Sequence, residues 1–254
     1  MSGTYANVDA AGDVAAALDW QDRVDAWPQI AAYKRRTYEL LRVDAASRVL
    51  DVGSGTGHDL LALGADAIGI DASLAMCTAA RARGTTVSRA VAGALPFADA
   101  SFAAVRADRV FEHLDDPDAA LAEMVRVTRP GGRVVIADPD QGSLVISVPG
   151  VRAELTAAVR RLRRDVGYRN GSLARDLPRR CTEMGLRDIG IEAFPLVLTD
   201  PDDAFGIATW VAYWHQEFTE ADAAAWDAGM QRAREQGNFV YALLYFVVSG
   251  TRAS

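Results

Sequence analysis

Cysteine and histidine are scarce in this chain. Two cysteines, Cys77 and Cys181, and three histidines are spread over 254 residues. There is no C-x-x-C pair, so neither a structural zinc site nor a disulfide framework organises the fold, and no metal is expected. Positive charge is in deficit too. The 27 Lys and Arg against 34 Asp and Glu leave a formal net charge of −7, which argues against nucleic acid as a partner. No apolar run approaches the roughly 18 residues of a membrane helix. The first residues, MSGTYANVDAAGD, have neither the basic start nor the apolar core of a secretory signal. Repeats and low-complexity segments are missing as well. What remains is 50% hydrophobic and 24% charged, the make-up of a soluble single domain with an expected cytoplasmic location.

The stretch around which the chain is organised is Val49-Leu50-Asp51-Val52-Gly53-Ser54-Gly55-Thr56-Gly57-His58-Asp59. An apolar run meets an acidic residue and then opens into glycines at alternate positions. Glycine has no Cβ, so a ligand can lie against such a backbone and left-handed turns cost little. Ala67-Ile68-Gly69-Ile70 then leads to a second carboxylate at Asp71. The pattern is that of a buried strand, a ligand-touching loop, a helix and another strand.

Taken in order, residues 1–13 are expected to be poorly ordered, and helical spacing covers Val14 to Leu41, with Pro28 starting a second helix. Strands are expected at Arg48–Val52, Ala67–Asp71, Val87–Val91 and Ser101–Arg106, with helices at His58–Leu63 and Ser73–Arg83. Asp116-Pro117 is an N-cap followed by a first-turn proline, and Leu121, Met124, Val125 and Thr128 share one helix face. Arg129-Pro130-Gly131-Gly132 then turns the chain into a short strand, Arg133–Asp138. Alternating strands and helices imply a parallel sheet covered on both faces. Beyond Asp138 the rhythm breaks. Helices are expected at Val151–Val166, Leu173–Met184, Pro201–Glu217 and Thr219–Glu235, with strands at Leu186–Thr199 and Phe239–Thr251.

In an open α/β sheet, ligands bind beyond the carboxyl ends of the strands, where Asp51, Asp71, Asp108 and Asp138 fall. A carboxylate about twenty residues past the glycine loop suits ribose hydroxyls and implies a nucleoside-containing cofactor. A dinucleotide loop needs G-x-G-x-x-G, but His58 stands where its third glycine would be, which weakens the case for an NAD-dependent oxidoreductase.

The blocks VLDVGSGTG, IGIDAS, ALPFADASF, FEHLDDP and RPGGRVVIAD, in this order, resemble the class I S-adenosylmethionine-dependent methyltransferases, especially their UbiE-like small-molecule branch. The resemblance is close from Tyr33 to Asp140. It implies a Rossmann-like, seven-stranded, mostly parallel α/β sheet in the order 3-2-1-4-5-7-6, with helices on both faces and the last strand antiparallel. The chain would then be one domain: an N-terminal helical cap (1–46), a cofactor-binding core (47–140), substrate-side helices and a strand (141–236), and the last strand (237–254). S-adenosylmethionine would be the cofactor and a small molecule the methyl acceptor. Asp51, Gly53, Ser54, Gly55 and Gly57 would pass beneath the methionine and ribose portions. Asp71 would hold the ribose, Ala72 and Met76 would pack on the adenine, and Ala92 would face its edge. The main chain at Arg106 and Ala107 would face the cofactor's amino group. Two positions depart from the family pattern. Val91 replaces an aspartate that bonds the adenine amine, a loss of about 0.5–1.5 kcal/mol, and Phe102-Ala103 replaces a Phe-Asp pair.

Methyl transfer to an oxygen gains from a base, and His113, an imidazole near neutral pKa, is the candidate, with Glu112 or Asp138 orienting it. A packing or loop-ordering histidine is the alternative, as plain helix core is for Met76. His58 and His215 read as structural or surface residues. Trp210, Tyr213, Trp214 and Phe218 form either an acceptor wall or a core stripe. Arg152, Arg160, Arg161, Arg163 and Arg164 read as a solvated helix face, with an acidic substrate as the alternative. Trp20, Tyr33 and Arg36 are candidates for closing over the cofactor. A non-methylating relative, either a cyclase or a cofactor-binding regulator, is the second competing function. Oligomeric state and acceptor identity leave no trace in the residues.

Overall fold

The computed structural model describes residues 9, 13–44, 46–64, 66–214 and 216–253. The disorder expected for residues 1–13 falls almost wholly outside them, as does His215. Two helices open the described chain, α1 (Val14–Asp25) and α2 (Pro28–Leu40), with Pro28 in the first turn as expected. There follow β1 (Val49–Val52), α3 (His58–Leu63), β2 (Ala67–Asp71), α4 (Leu74–Ala82), β3 (Thr86–Arg89), β4 (Phe102–Asp108) and α5 (Pro117–Val127). The rest comprises β5 (Thr128–Ser147), α6 (Ala153–Leu162), α7 (Leu177–Glu183), β6 (Leu186–Leu198), α8 (Trp210–Tyr213), α9 (Glu220–Gln236) and β7 (Val240–Arg252). The strands form one seven-stranded sheet in the order β3-β2-β1-β4-β5-β7-β6. β7 runs antiparallel to both its neighbours and the remaining pairs are parallel. Among the described residues, no helix is long and apolar enough to cross a membrane.

The local signals act where the physics is local. Asp116 accepts from the Ala119 amide at 2.9 Å and starts α5, with Pro117 behind it. Ser73 accepts from the Met76 amide at 3.1 Å and starts α4. Four expectations change. β5 does not stop at Asp138. It runs on to Ser147 because β7 offers a long antiparallel partner, from Arg133↔Thr251 to Ser147↔Val240. The register slips between Asp140 and Val145, and the Ser143 hydroxyl mends the gap: it donates to the Asp140 carbonyl at 2.7 Å and accepts from the Leu244 amide at 2.9 Å. The Arg129–Gly132 turn is an excursion inside that strand, with Gly131 at φ 75°. The helix expected over Pro201–Glu217 shrinks to a 3-10 turn at Ile207–Thr209 and the single turn of α8, because Phe205 and Gly206 both take left-handed backbone. The helix expected over Val151–Val166 changes hydrogen-bonding pitch at Leu162 and ends in a π turn, Arg163–Gly167.

The sheet's two faces carry separate apolar cores, but the loop end of β1 and β4 is pinned by charge. Arg106 is fully buried. Its guanidinium donates to Thr37 Oγ1 at 2.8 Å, to Asp51 Oδ1 and Asp59 Oδ2 at 2.9 Å each, and to Asp108 Oδ2 at 3.1 Å. Lys34 Nζ bridges Asp59 at 2.9 Å, Asp25 at 3.1 Å and Asp108 at 3.4 Å. Tyr33 donates to Asp108 at 2.9 Å, Tyr38 donates to Asp59 at 2.5 Å, and Arg109 closes the network on Asp25. Burial alone would raise the Asp59 carboxyl, but Arg106 and Lys34 hold it below the ordinary carboxylate range. Asp51 receives less compensation: burial pushes it up to about 7 against the pull of Arg106, and its Oδ2 has no partner.

Removing one partner from a buried ionic network leaves uncompensated charge, which costs about 3–5 kcal/mol. Arg106→Met should therefore destabilise the fold by about that amount in urea denaturation at pH 7. In the variant, Asp51 and Asp59 must protonate to stay buried. The deficit should therefore shrink as pH falls through about 4, where the unfolded chain's carboxylates also take up protons. A deficit independent of pH would show that charge compensation is not the guanidinium's role.

Candidate active site

The glycine loop is tied to β2 before it reaches the site. The amides of Gly53 and Ser54 both donate to the Ile70 carbonyl, at 2.8 and 2.9 Å. Gly53 sits at φ 71°, and a Cβ there would lie 2.3 Å from Val110 Cγ2, so both backbone and space require glycine. Gly57, at φ 84°, is the N-cap of α3, and a Cβ there would press within 2.9 Å of the Ala80 methyl. Asp71, at the end of β2, accepts from the Gly55 amide through Oδ2 at 2.9 Å and from the Ser73 amide through Oδ1 at 2.8 Å. Each oxygen keeps a free lone pair. Burial raises the carboxyl above its ordinary value, and these two amides oppose that rise.

These elements open onto one cavity of about 930 Å³. Of the residues expected at the site, Gly53, Gly55, Asp71, Ala72, Met76, Ala92 and His113 line it together. Asp51, Ser54, Gly57, Arg106, Ala107 and Asp138 are not part of its wall. Asp51, Arg106 and Ala107 lie underneath in the buried network and in β4, while Asp108 and Arg109 face the cavity at that end. Ser54 is buried against Gly69, where a Cβ would lie 2.4 Å from its hydroxyl. The site fits a nucleoside: a carboxylate with free lone pairs stands beside a Cβ-free loop. An apolar slot between Met76 and Ala92 adjoins it, with Val91 at the rim, 57% exposed.

The opposite end of the cavity is built from residues that the sequence left mostly unassigned. His113 follows β4 in a single 3-10 turn, Phe111–His113, and stands 3.6 Å from Glu112 Oε1. Its titration departs from expectation. Burial, followed by the positive charges of Arg109 and Arg169, lowers the imidazole to about 4, so it is neutral and only weakly basic at pH 7. Glu112 behaves in the opposite way. Burial pushes it up to about 7, although Gln141 donates to it at 3.0 Å. Asp138, fully enclosed in β5, is raised well above its ordinary value by burial and by neighbouring Glu112, against the pull of the Phe111 and Glu112 amides. It lies behind the site, outside the cavity wall.

The aromatic wall also differs from the expected one. Trp20, Tyr168, Phe205, Trp210 and Tyr245 face the cavity, whereas Tyr213 is 64% exposed and Trp214 packs behind Trp210, with ring centroids 6.0 Å apart. Phe218 packs against the core instead. Tyr33 does not close over a cofactor, because it is held on Asp108 and stacked on Tyr245 at 4.8 Å. Arg36 pairs on the surface with Glu192 at 2.8 Å. His58, half exposed, contacts Asp22 at 3.1 Å. Arg163 is the largest surprise among the arginines. Arg152, Arg160 and Arg161 are exposed and Arg164 is partly so, but Arg163 is 1% exposed and lines the cavity. Four arginines among nearby residues gave the segment the look of a solvated face, and nothing local marks the change to π pitch that turns the fifth inward.

Residues 50–136 match the model of a family described as "Methyltransferase domain". A demethylmenaquinone methyltransferase of Renibacterium salmoninarum is 36% identical over 132 residues, 50% of this chain and 55% of that protein. An uncharacterized 37.1 kDa protein in a transposon of Streptomyces fradiae is 36% identical over 179 residues, 66% of this chain and 51% of that protein. The chain thus spans about half the length of these relatives. The crystal structure of the YcgJ protein from Bacillus subtilis superposes with a TM-score of 0.61 at 20% identity, covering 88% of this chain and 99% of that one. That likeness is one of fold. Sheet order, glycine loop and matched domain agree: residues 50–136 carry a methyltransferase domain, and the chain is similar to the class I S-adenosylmethionine-dependent methyltransferases, their UbiE-like branch included.

Proposed function

We propose that the chain transfers the methyl group of S-adenosylmethionine to an oxygen, nitrogen or carbon of a small molecule, as a cytoplasmic enzyme whose two cysteines stay reduced. The observation that carries this reading is the shared cavity. Asp71 and the glycine loop open at one end of the space whose other end holds Glu112, His113 and an aromatic wall. When bound, the cofactor supplies an electrophilic methyl on a sulfonium, so positioning of the acceptor accounts for much of the acceleration. Asp71 and the Gly53–Gly55 backbone hold the nucleoside. Trp20, Phe205 and Trp210 exclude water from the acceptor's apolar face. Where the acceptor atom carries a proton, Glu112 takes it at a carboxylate oxygen, since a group near 7 is matched to neutral pH. Neutral His113 beside it accepts a hydrogen bond or orients the acceptor.

Asp71→Ala should weaken S-adenosylhomocysteine binding by about tenfold or more in calorimetry, since two charge-assisted bonds to ribose are lost. Unchanged affinity would remove Asp71 from cofactor recognition. Cofactor binding without S-adenosylhomocysteine production across a broad acceptor panel would move the chain to the non-methylating class. With a protonated acceptor, turnover should rise between about pH 6 and 8 as Glu112 ionises. Glu112→Gln should flatten that rise, whereas His113→Ala should lower turnover and keep it. A rise that survives in Glu112→Gln would place the base elsewhere.

A further inference from the structure

Arg163 stands in the cavity wall as a buried cation with no ion-pair partner among the described residues. Its Nε donates to Gln141 Oε1 at 3.1 Å, Nη2 to the Tyr168 hydroxyl at 2.9 Å, and Nη1 reaches the Phe205 carbonyl at 3.4 Å. All three acceptors are neutral. Among the described residues, no carboxylate lies within ion-pair distance; Glu112 acts on the guanidinium through space and is bonded to it only by way of Gln141. Four rings surround the guanidinium carbon, with centroids at 4.9 Å (Trp210), 5.1 Å (Tyr168), 5.7 Å (Tyr241) and 6.0 Å (Phe205). Ring faces offset part of the cost of burying a cation, but they do not neutralise it.

The surroundings hold this guanidinium in one place. It opens the π turn Arg163–Gly167, an uncommon pitch that recurs at functional sites. Gly167 lets Trp210 close in, since a Cβ there would lie 2.2 Å from the indole. Arg109 adds a second cation to the cavity wall, and Gln141 stands between the guanidinium and the Glu112 carboxyl. A guanidinium fixed at Nε and ringed by apolar faces is a receptor for a planar anion, and its fork matches a carboxylate.

Resting on the methyl-transfer reading above, we propose that Arg163 determines acceptor specificity by pairing with a carboxylate on a flat, apolar acceptor held among Phe205, Trp210 and Tyr168. The acceptor is thus an aromatic or polycyclic carboxylic acid. Trp20 and Tyr245 complete its apolar enclosure.

The test compares 1-hydroxy-2-naphthoate with its uncharged analogue 1-hydroxy-2-naphthamide by calorimetry, on the whole protein with and without S-adenosylhomocysteine. The acid should bind about tenfold or more tightly than the amide. Arg163→Met should erase that preference, and Arg163→Lys should keep part of it, with S-adenosylhomocysteine affinity unchanged in both. Equal binding of acid and amide by the unmodified protein, absence of naphthoate binding at millimolar concentration, or a preference that survives in Arg163→Met would each overturn the proposal. The unmodified comparison needs no variant, so a variant that fails to fold leaves the test intact. Failure of S-adenosylhomocysteine to bind would instead strike the methyl-transfer reading, while the acid-to-amide ratio without cofactor still reads Arg163.

Discussion

The site depends on one buried cation. Arg106 holds Asp51 at the end of β1, Asp59 in the first turn of α3 and Asp108 at the end of β4, and bonds Thr37 of α2. The glycine loop is the connection between Asp51 and Asp59, so its two ends are pinned to one guanidinium. Loops with left-handed glycines have many conformations to lose on ordering. Here the ordering is done before a ligand arrives, by ion pairs that are largely buried. Lys34 and Tyr38 bring α2 onto the same carboxylates, so the N-terminal helices are docked by the groups that fix the loop.

Electrostatics divide the cavity. Beneath the loop, Arg106, Lys34 and Arg109 meet Asp25, Asp51, Asp59 and Asp108, and of these Asp108 and Arg109 reach the cavity wall. At the far end, compensation is thinner: burial raises Asp138, Glu112 is poised near neutrality, His113 is held neutral and, among the described residues, Arg163 has no ion-pair partner. Buried groups left partly unsatisfied are costly, and they persist where a ligand completes them. β5 joins the two regimes. It passes behind the site at Asp138 and presents Gln141, which bonds both Glu112 and Arg163.

What the sequence made legible follows from the range of the forces involved. Asp116-Pro117, Ser73 and Gly53 act through their own backbone, so helix starts and the glycine turn could be read within a few residues. Asp71 was legible because the spacing from loop to second strand is set by one helix. The long extension of β5 was not, because its cause is β7, about a hundred residues later. The inward turn of Arg163 was hidden for a similar reason: a single change of helical pitch moves a side chain from water to cavity without altering composition. The pKa values of His113 and Glu112 reverse the roles assigned from residue type, since burial and Arg109 act through space.

The same division explains why resemblance identifies the cofactor side and leaves the acceptor open. The matched domain ends at residue 136, just short of Asp138. Gln141, Arg163, Tyr168, Phe205 and Trp210, which form most of the acceptor end, all lie beyond it. The family match therefore reaches Asp71 and the glycine loop but not these groups. Fold and donor are shared widely, and chemistry at the site decides the rest. In this chain that chemistry is a caged guanidinium, whose demand for an anion constrains the acceptor more than any relative does.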